Sequence, residues 1–73
     1  MRVICEAGYS GCDHPKAFSL HDRNLIVKHV IKEWREPNSK HFVVATADGG
    51  QFELILSETG NQWEISKVSG FHN

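Results

Sequence analysis

Two glycine-bearing breaks, Asp48-Gly49-Gly50 and Thr59-Gly60-Asn61, divide the second half of this 73-residue chain into three short apolar runs. Phe42 and Val44, then Phe52, Leu54 and Leu56, then Trp63 and Ile65 fall at every second position. That is the period of strands that bury one face. Loop length and buried face can therefore be tested against each other. A three-residue loop from Asp48 to Gly50 sets Ala47 opposite Gln51, Val44 opposite Leu54 and Phe42 opposite Leu56. A two-residue loop would send Phe42 and Val44 to the other face, because a slip of one residue inverts every side chain. A glycine ending the longer loop supplies the left-handed backbone of a bulged turn. The next connection reads as a four-residue loop, Glu58 to Asn61, pairing Leu56 with Trp63 and Leu54 with Ile65. Both hairpins then feed one apolar sheet face.

The first half is less regular. Ala17 to Leu20 is a short strand candidate, His21 to Asn24 a turn, and Gly8 to Pro15 a loop, while Arg2-Val3-Ile4-Cys5 can add an edge strand. Leu25 to Trp34 has two readings. As a helix it gathers Val27, Val30, Ile31 and Trp34 on one stripe. As a strand its β-branched run suits a pleated surface, at the cost of a bulge near His29 where alternation breaks. The strand is preferred. Glu36-Pro37-Asn38-Ser39 ends the segment in either case, since proline lacks a donor and turns its predecessor away from helix.

A chain of this length forms one domain with a net stability of about 3–5 kcal/mol, which oligomerisation could supplement. It contains no long apolar stretch for a membrane span, and its start has too few apolar residues for a signal peptide, so a cytoplasmic location is expected. In that compartment Cys5 and Cys12 are expected as thiols. The net charge is −1. Residues 21–41 carry five cations against three carboxylates, and residues 42–73 one cation against four, a mild polarity without the strong basic stripe of a nucleic-acid binder. A solvated face of mixed charge is the simpler reading. Nucleic-acid contact through Lys28, Lys32, Arg35 and Lys40 stays as a secondary one.

Cys5, Cys12 and His14 form the one constellation with metal-ligand chemistry. Trustworthy zinc patterns use short paired spacings, whereas here six residues separate the cysteines and His21, His29, His41 or His72 would have to complete the set. No metal site is assigned, and no base or helix N-terminus is evident to activate a cysteine nucleophile. Glu53, Glu58 and Glu64 alternate with apolar residues and so belong to the wet side of the meander or its turns. Trp34 and Trp63 are expected as core anchors, a stacking platform being the alternative. Asp48-Gly49-Gly50 lacks the helix and lysine of a phosphate loop. The register above sets Val43 opposite Ile55 on the wet face, with Ala45 and Val68 near them. The N-terminal segment covers that patch, or it is a binding surface.

Cys5-Glu6-Ala7-Gly8-Tyr9, Pro15-Lys16-Ala17-Phe18, Ile26 to Arg35 with its Val-Ile-Lys-Glu-Trp-Arg ending, Phe42-Val43-Val44, Asp48-Gly49, Phe52-Glu53-Leu54 and Trp63-Glu64-Ile65 together resemble a family of small uncharacterised bacterial cytoplasmic proteins. That family is related to a small domain found as a tail on proteins resembling Y-family DNA polymerases. The resemblance implies a compact, mostly β module of unknown activity, associated with DNA-repair assemblies. It carries over no catalytic residue, and Cys12 departs from it, which counts further against metal. The reading is a single all-β domain, one small antiparallel sheet of about five strands curled into an SH3-like half-barrel. The alternative is an α+β fold with Leu25–Trp34 as a helix on a three-stranded meander. The expected role is non-enzymatic, a protein-interaction or self-associating module without cofactor, using Val43, Ile55 and Val68 or a strand edge.

Overall fold

The computed structural model describes residues 2–8, 11–59 and 62–68, with the side chains of 2, 6–8 and 11–13 left undescribed. Among these residues six strands follow one another: β1 (Arg2–Gly8), β2 (Gly11–Leu20), β3 (Arg23–Glu36), β4 (Ser39–Thr46), β5 (Gln51–Ser57) and β6 (Gln62–Lys67). Each pairs antiparallel with its neighbours in sequence, so the sheet is a meander in the order β1-β2-β3-β4-β5-β6, curled into a half-barrel. The all-β expectation holds, with six strands in place of about five. Leu25–Trp34 is strand, and the expected loop from Gly8 to Pro15 is corrected, because Gly11 to Pro15 belong to β2. Register shifts between Ile4 and Cys5 and between Glu6 and Ala7 absorb the irregular spacing that made this stretch look like a loop.

The curl originates in β3. Its first residues, Arg23 to Ile26, pair with β2, and the rest, from Val27 on, pairs with β4. Shifts at Lys28 and at Ile31 interrupt the second ladder. Bulges bend a strand and raise its twist. Two within a few residues swing β1 and β2 over one face of β4–β6, where Phe18 meets the Phe52 ring edge-on, centroids 5.2 Å apart. The bulge expected near His29 is thus the hinge of the half-barrel.

Four of the five connections include described residues and fix their registers. His21 and Asp22 both have positive φ, 52° and 64°, the backbone of a two-residue type I′ hairpin turn, so the turn is shorter than the expected His21 to Asn24. Pro37 and Asn38, the latter at φ 74°, join β3 to β4. Between β4 and β5 the loop has three residues, as expected, but it starts one residue earlier. The Thr46 N–H donates to the Gly50 carbonyl at 2.9 Å, leaving Ala47, Asp48 and Gly49 as the loop. Gly49 takes the left-handed position at φ 94°. Gly50 is needed for closeness instead, since a Cβ there would lie 3.0 Å from the Phe52 ring. Val44 therefore faces Phe52 and Phe42 faces Leu54, a shift of two residues that keeps every side chain on its expected face. The fourth connection gives Leu56 with Trp63 and Leu54 with Ile65, as expected, although Gly60 and Asn61 lie outside the described residues.

The inner face holds the core. Phe18, Leu25, Phe42, Val44, Phe52 and Leu54 are buried, with Val3, Leu20, Val27, Val30, Trp63 and Ile65 packed against them. Trp63 tilts against Phe42 at 6.1 Å and anchors the core as expected.

Asp48 locks the central turn. It accepts hydrogen bonds from the Thr46 hydroxyl and the Gly50 N–H, and pairs with Arg23 at 3.0 Å. The Thr46 bond first, then the Gly50 bond, hold its carboxyl below the ordinary 3.8, with Arg23 adding to them. A carboxyl depressed in the fold contributes stability that is present above 3.8 and is lost as pH falls through the folded value. Asp48→Asn is therefore expected to lower the urea midpoint at pH 7, the gap from wild type closing as the pH is taken below 3.8. A gap that persists unchanged in acid would place the effect elsewhere in the loop.

Candidate functional site

The face turned away from the core is built by the alternate residues of the same strands. Register sets Glu36, Ser39 and Ser57 in one row, Trp34, His41, Ile55 and Glu64 in the next, and Lys32, Val43, Glu53 and Ser66 in a third. At its centre His41 is 9% exposed, an unusual burial for a residue on a wet face. Its ring stacks on Trp34, centroids 4.8 Å apart and planes 12° from parallel. Nδ1 lies 3.1 Å from Glu53 Oε2, while Nε2 lies 3.1 Å from both Ser39 Oγ and Glu36 Oε1. Lys32 Nζ sits 5.2 Å from the Trp34 ring on the same side.

This arrangement satisfies the imidazole in either charge state. The neutral ring donates from Nδ1 to Glu53 and accepts the Ser39 hydroxyl at Nε2; the charged ring donates to Glu53 and Glu36. Both nitrogens are committed within the protein. The cluster therefore ties β3, β4 and β5 together on the outer side, in a position where a general base would need one nitrogen free for a substrate.

The residues singled out in the sequence are redistributed by the register. Val43 and Ile55 do share the outer face, but not as partners: Val43 faces Lys32 and Glu53, and Ile55 faces His41 and Glu64. The earlier loop start is the reason. Val68 lies beyond them, its N–H donating to the Gln51 carbonyl. Among the described side chains of the N-terminal strands, Val3, Phe18 and Leu20 turn to the core. Trp34, expected in the core, belongs to the outer face: one bulge near His29 would turn it inward, but a second shift, at Ile31, reverses that parity and turns it outward beside His41. Glu53, expected on the wet side, is there but half-buried and bonded to His41.

The four cations of the nucleic-acid reading do not gather. Arg35 and Lys40 face each other on the core side near the rim, Arg35 paired with Glu58, whereas Lys32 is on the outer face and Lys28 occupies a bulge. The metal constellation is brought onto one ladder, with Cys5 opposite Pro15, His14 opposite Glu6 and Cys12 opposite Ala7, but not as a ligand set. Cys5 is disulfide-bonded, which corrects the expectation of two thiols and withdraws a thiolate ligand, while His14 is exposed. The side chain of Cys12 and all of His72 lie outside the described residues. Among the described residues no group of His, Cys, Asp or Glu could hold a metal ion, and no helix is long and apolar enough to cross a membrane.

The outer face also carries an apolar row that the residue pattern alone does not reveal. Ile4, Ala17 and Ile26 stand side by side across β1, β2 and β3, with Ile4 53% and Ile26 59% exposed. The signal was present in the two-residue turn at His21-Asp22, which sets Ala17 opposite Ile26 once both residues are given positive φ. No protein-family model, curated protein or solved structure matches the chain.

Proposed function

We propose that this protein is a non-enzymatic interaction module that receives a protein partner on the outer face of its sheet. The observation that carries this reading is the apolar row Ile4, Ala17 and Ile26, exposed at both isoleucines. Isolated surface hydrophobics are ordinary, but adjacent ones on a rigid sheet form a patch that water solvates poorly and a partner can cover. Val43 and Ile55, both half-buried, add apolar surface on the same side of β4 and β5. Nucleic-acid contact draws weaker support, since Lys32 stands on one face and Arg35 and Lys40 on the other.

Native mass spectrometry of the protein purified from its own cells tests the proposal. A protein retained in fixed stoichiometry is expected with wild type, and at least tenfold less of it with Ile26→Glu, a change at an exposed position that leaves the fold intact. Retention of nucleic acid in place of protein would overturn the reading, as would a partner held equally well by Ile26→Glu and Ile55→Glu.

A further inference from the structure

The sheet ends at β6, whose neighbour is β5 alone among the described residues. Such an edge carries a row of unpaired backbone groups that can template another strand. Which groups these are follows from one bond. The Val68 N–H donates to the Gln51 carbonyl, so 51 and 68 form a hydrogen-bonded pair. Alternation along an antiparallel ladder then directs the backbone groups of Gln62, Glu64 and Ser66 to β5. Those of Trp63, Ile65 and Lys67 point to the open edge.

We propose that this edge pairs antiparallel with β6 of a second copy of the chain, about a two-fold axis passing through Ile65. Directly opposed residues in an antiparallel pair share a face, so a self-pairing can centre on Glu64, Ile65 or Ser66. Centring on Glu64 sets that carboxylate against its own copy, an unfavourable like-charge pair. Centring on Ser66 brings only Ile65 and Lys67 into hydrogen-bonding positions. Centring on Ile65 uses every outward group of the strand: Trp63 with Lys67 of the second copy, Ile65 with Ile65, and Lys67 with Trp63, six backbone hydrogen bonds in all by the alternation rule.

The side chains agree with that register. On the core side the Leu54–Ile65 row continues into its copy, covering the half-buried Ile65, while each Lys67 comes beside the half-buried Trp63 ring of the other chain. On the outer side Glu64 faces Ser66, with no like charges opposed. A lysine is a common guard against edge pairing; here it has an aromatic partner in the one register that also saturates the backbone. No proline interrupts β6. A chain this small gains from continuing its sheet across a dyad, because its own core buries a low fraction of its surface. The inference is independent of the outer-face reading, since it uses the edge of the sheet and not the Ile4–Ala17–Ile26 row.

Sedimentation equilibrium across a concentration series decides it. The expected species is twice the 8.3 kDa chain. Ser66→Glu, which sets a second carboxylate across from Glu64, is expected to raise the dimer dissociation constant at least tenfold, with unchanged circular dichroism. Adding Glu64→Lys to that variant is expected to restore it. A single 8.3 kDa species at millimolar concentration would overturn the proposal. So would a dimer indifferent to Ser66→Glu, and one abolished by Ile26→Glu in its stead would locate the contact on the outer face.

Discussion

Phe42→Ala is expected to leave the chain largely unfolded at room temperature. Phe42 is fully buried at the middle of β4, opposite Leu54 on β5 and against the Trp63 ring 6.1 Å away. Truncating a buried phenylalanine costs about 3–5 kcal/mol, the lost transfer energy plus the cavity left behind. A domain of this size holds only about 3–5 kcal/mol in total, so the two quantities cancel. Collapse into the cavity is restricted, because the neighbours are strands pinned by their ladders. Far-ultraviolet circular dichroism and a urea titration measure the result; a sheet signal within a few degrees of the wild-type melting temperature would mean that the weight of the core lies elsewhere. Ile31→Ala, at a bulge position 46% exposed, is the companion in which no such loss is expected.

Why the second half of the fold was legible and the first was not follows from the same residues. Between Phe42 and Ile65 alternation is unbroken, and a glycine at each turn leaves few loop lengths compatible with one buried face. Even so, the central loop begins one residue earlier than glycine placement alone implies, because the Thr46 and Asp48 side chains bond across it and Gly50 is held against Phe52. A parity argument is blind to a shift of two, so it gives the correct faces while setting Val43 opposite Ile55. In the first half four register shifts, two in the β1–β2 ladder and two in the β3–β4 ladder, break the alternation on which strand recognition depends. The shift at Ile31 undoes the change of parity made at Lys28, so a strand with a single bulge near His29 sets Trp34 on the wrong side. The outer row Ile4–Ala17–Ile26 lay hidden for the same reason, since it exists only once three strands have been placed in register.

His41→Ala is the second large expected effect, and it separates a structural cluster from a solvated one. Alternation places Glu53 on the wet face, and nothing in its spacing tells it from Glu64, which is exposed. The difference arises from the Pro37-Asn38 turn, which sets Trp34 opposite His41, so that the imidazole is covered on one side by an aromatic ring and held at its edges by Glu53, Ser39 and Glu36. Removing the ring deletes a stacked contact of about 0.5–1.5 kcal/mol. It also deletes hydrogen bonds to carboxylates of about 1.5–3 kcal/mol each when buried. Glu36 is largely exposed and Glu53 partly so, and both recover water, which brings the net loss to about 2 kcal/mol. For a domain of this length that corresponds to a melting temperature lower by about 8–16 °C. Coupling distinguishes the cluster from a mere packing defect: Glu53→Gln should destabilise the wild type yet have little further effect once His41 is gone, giving an interaction energy of about 1 kcal/mol in the double-mutant cycle. Strict additivity would mean that the two side chains lie side by side without acting on each other. The outer face would then owe its shape to the ladders alone, and His41 would be free to serve a partner instead of the fold.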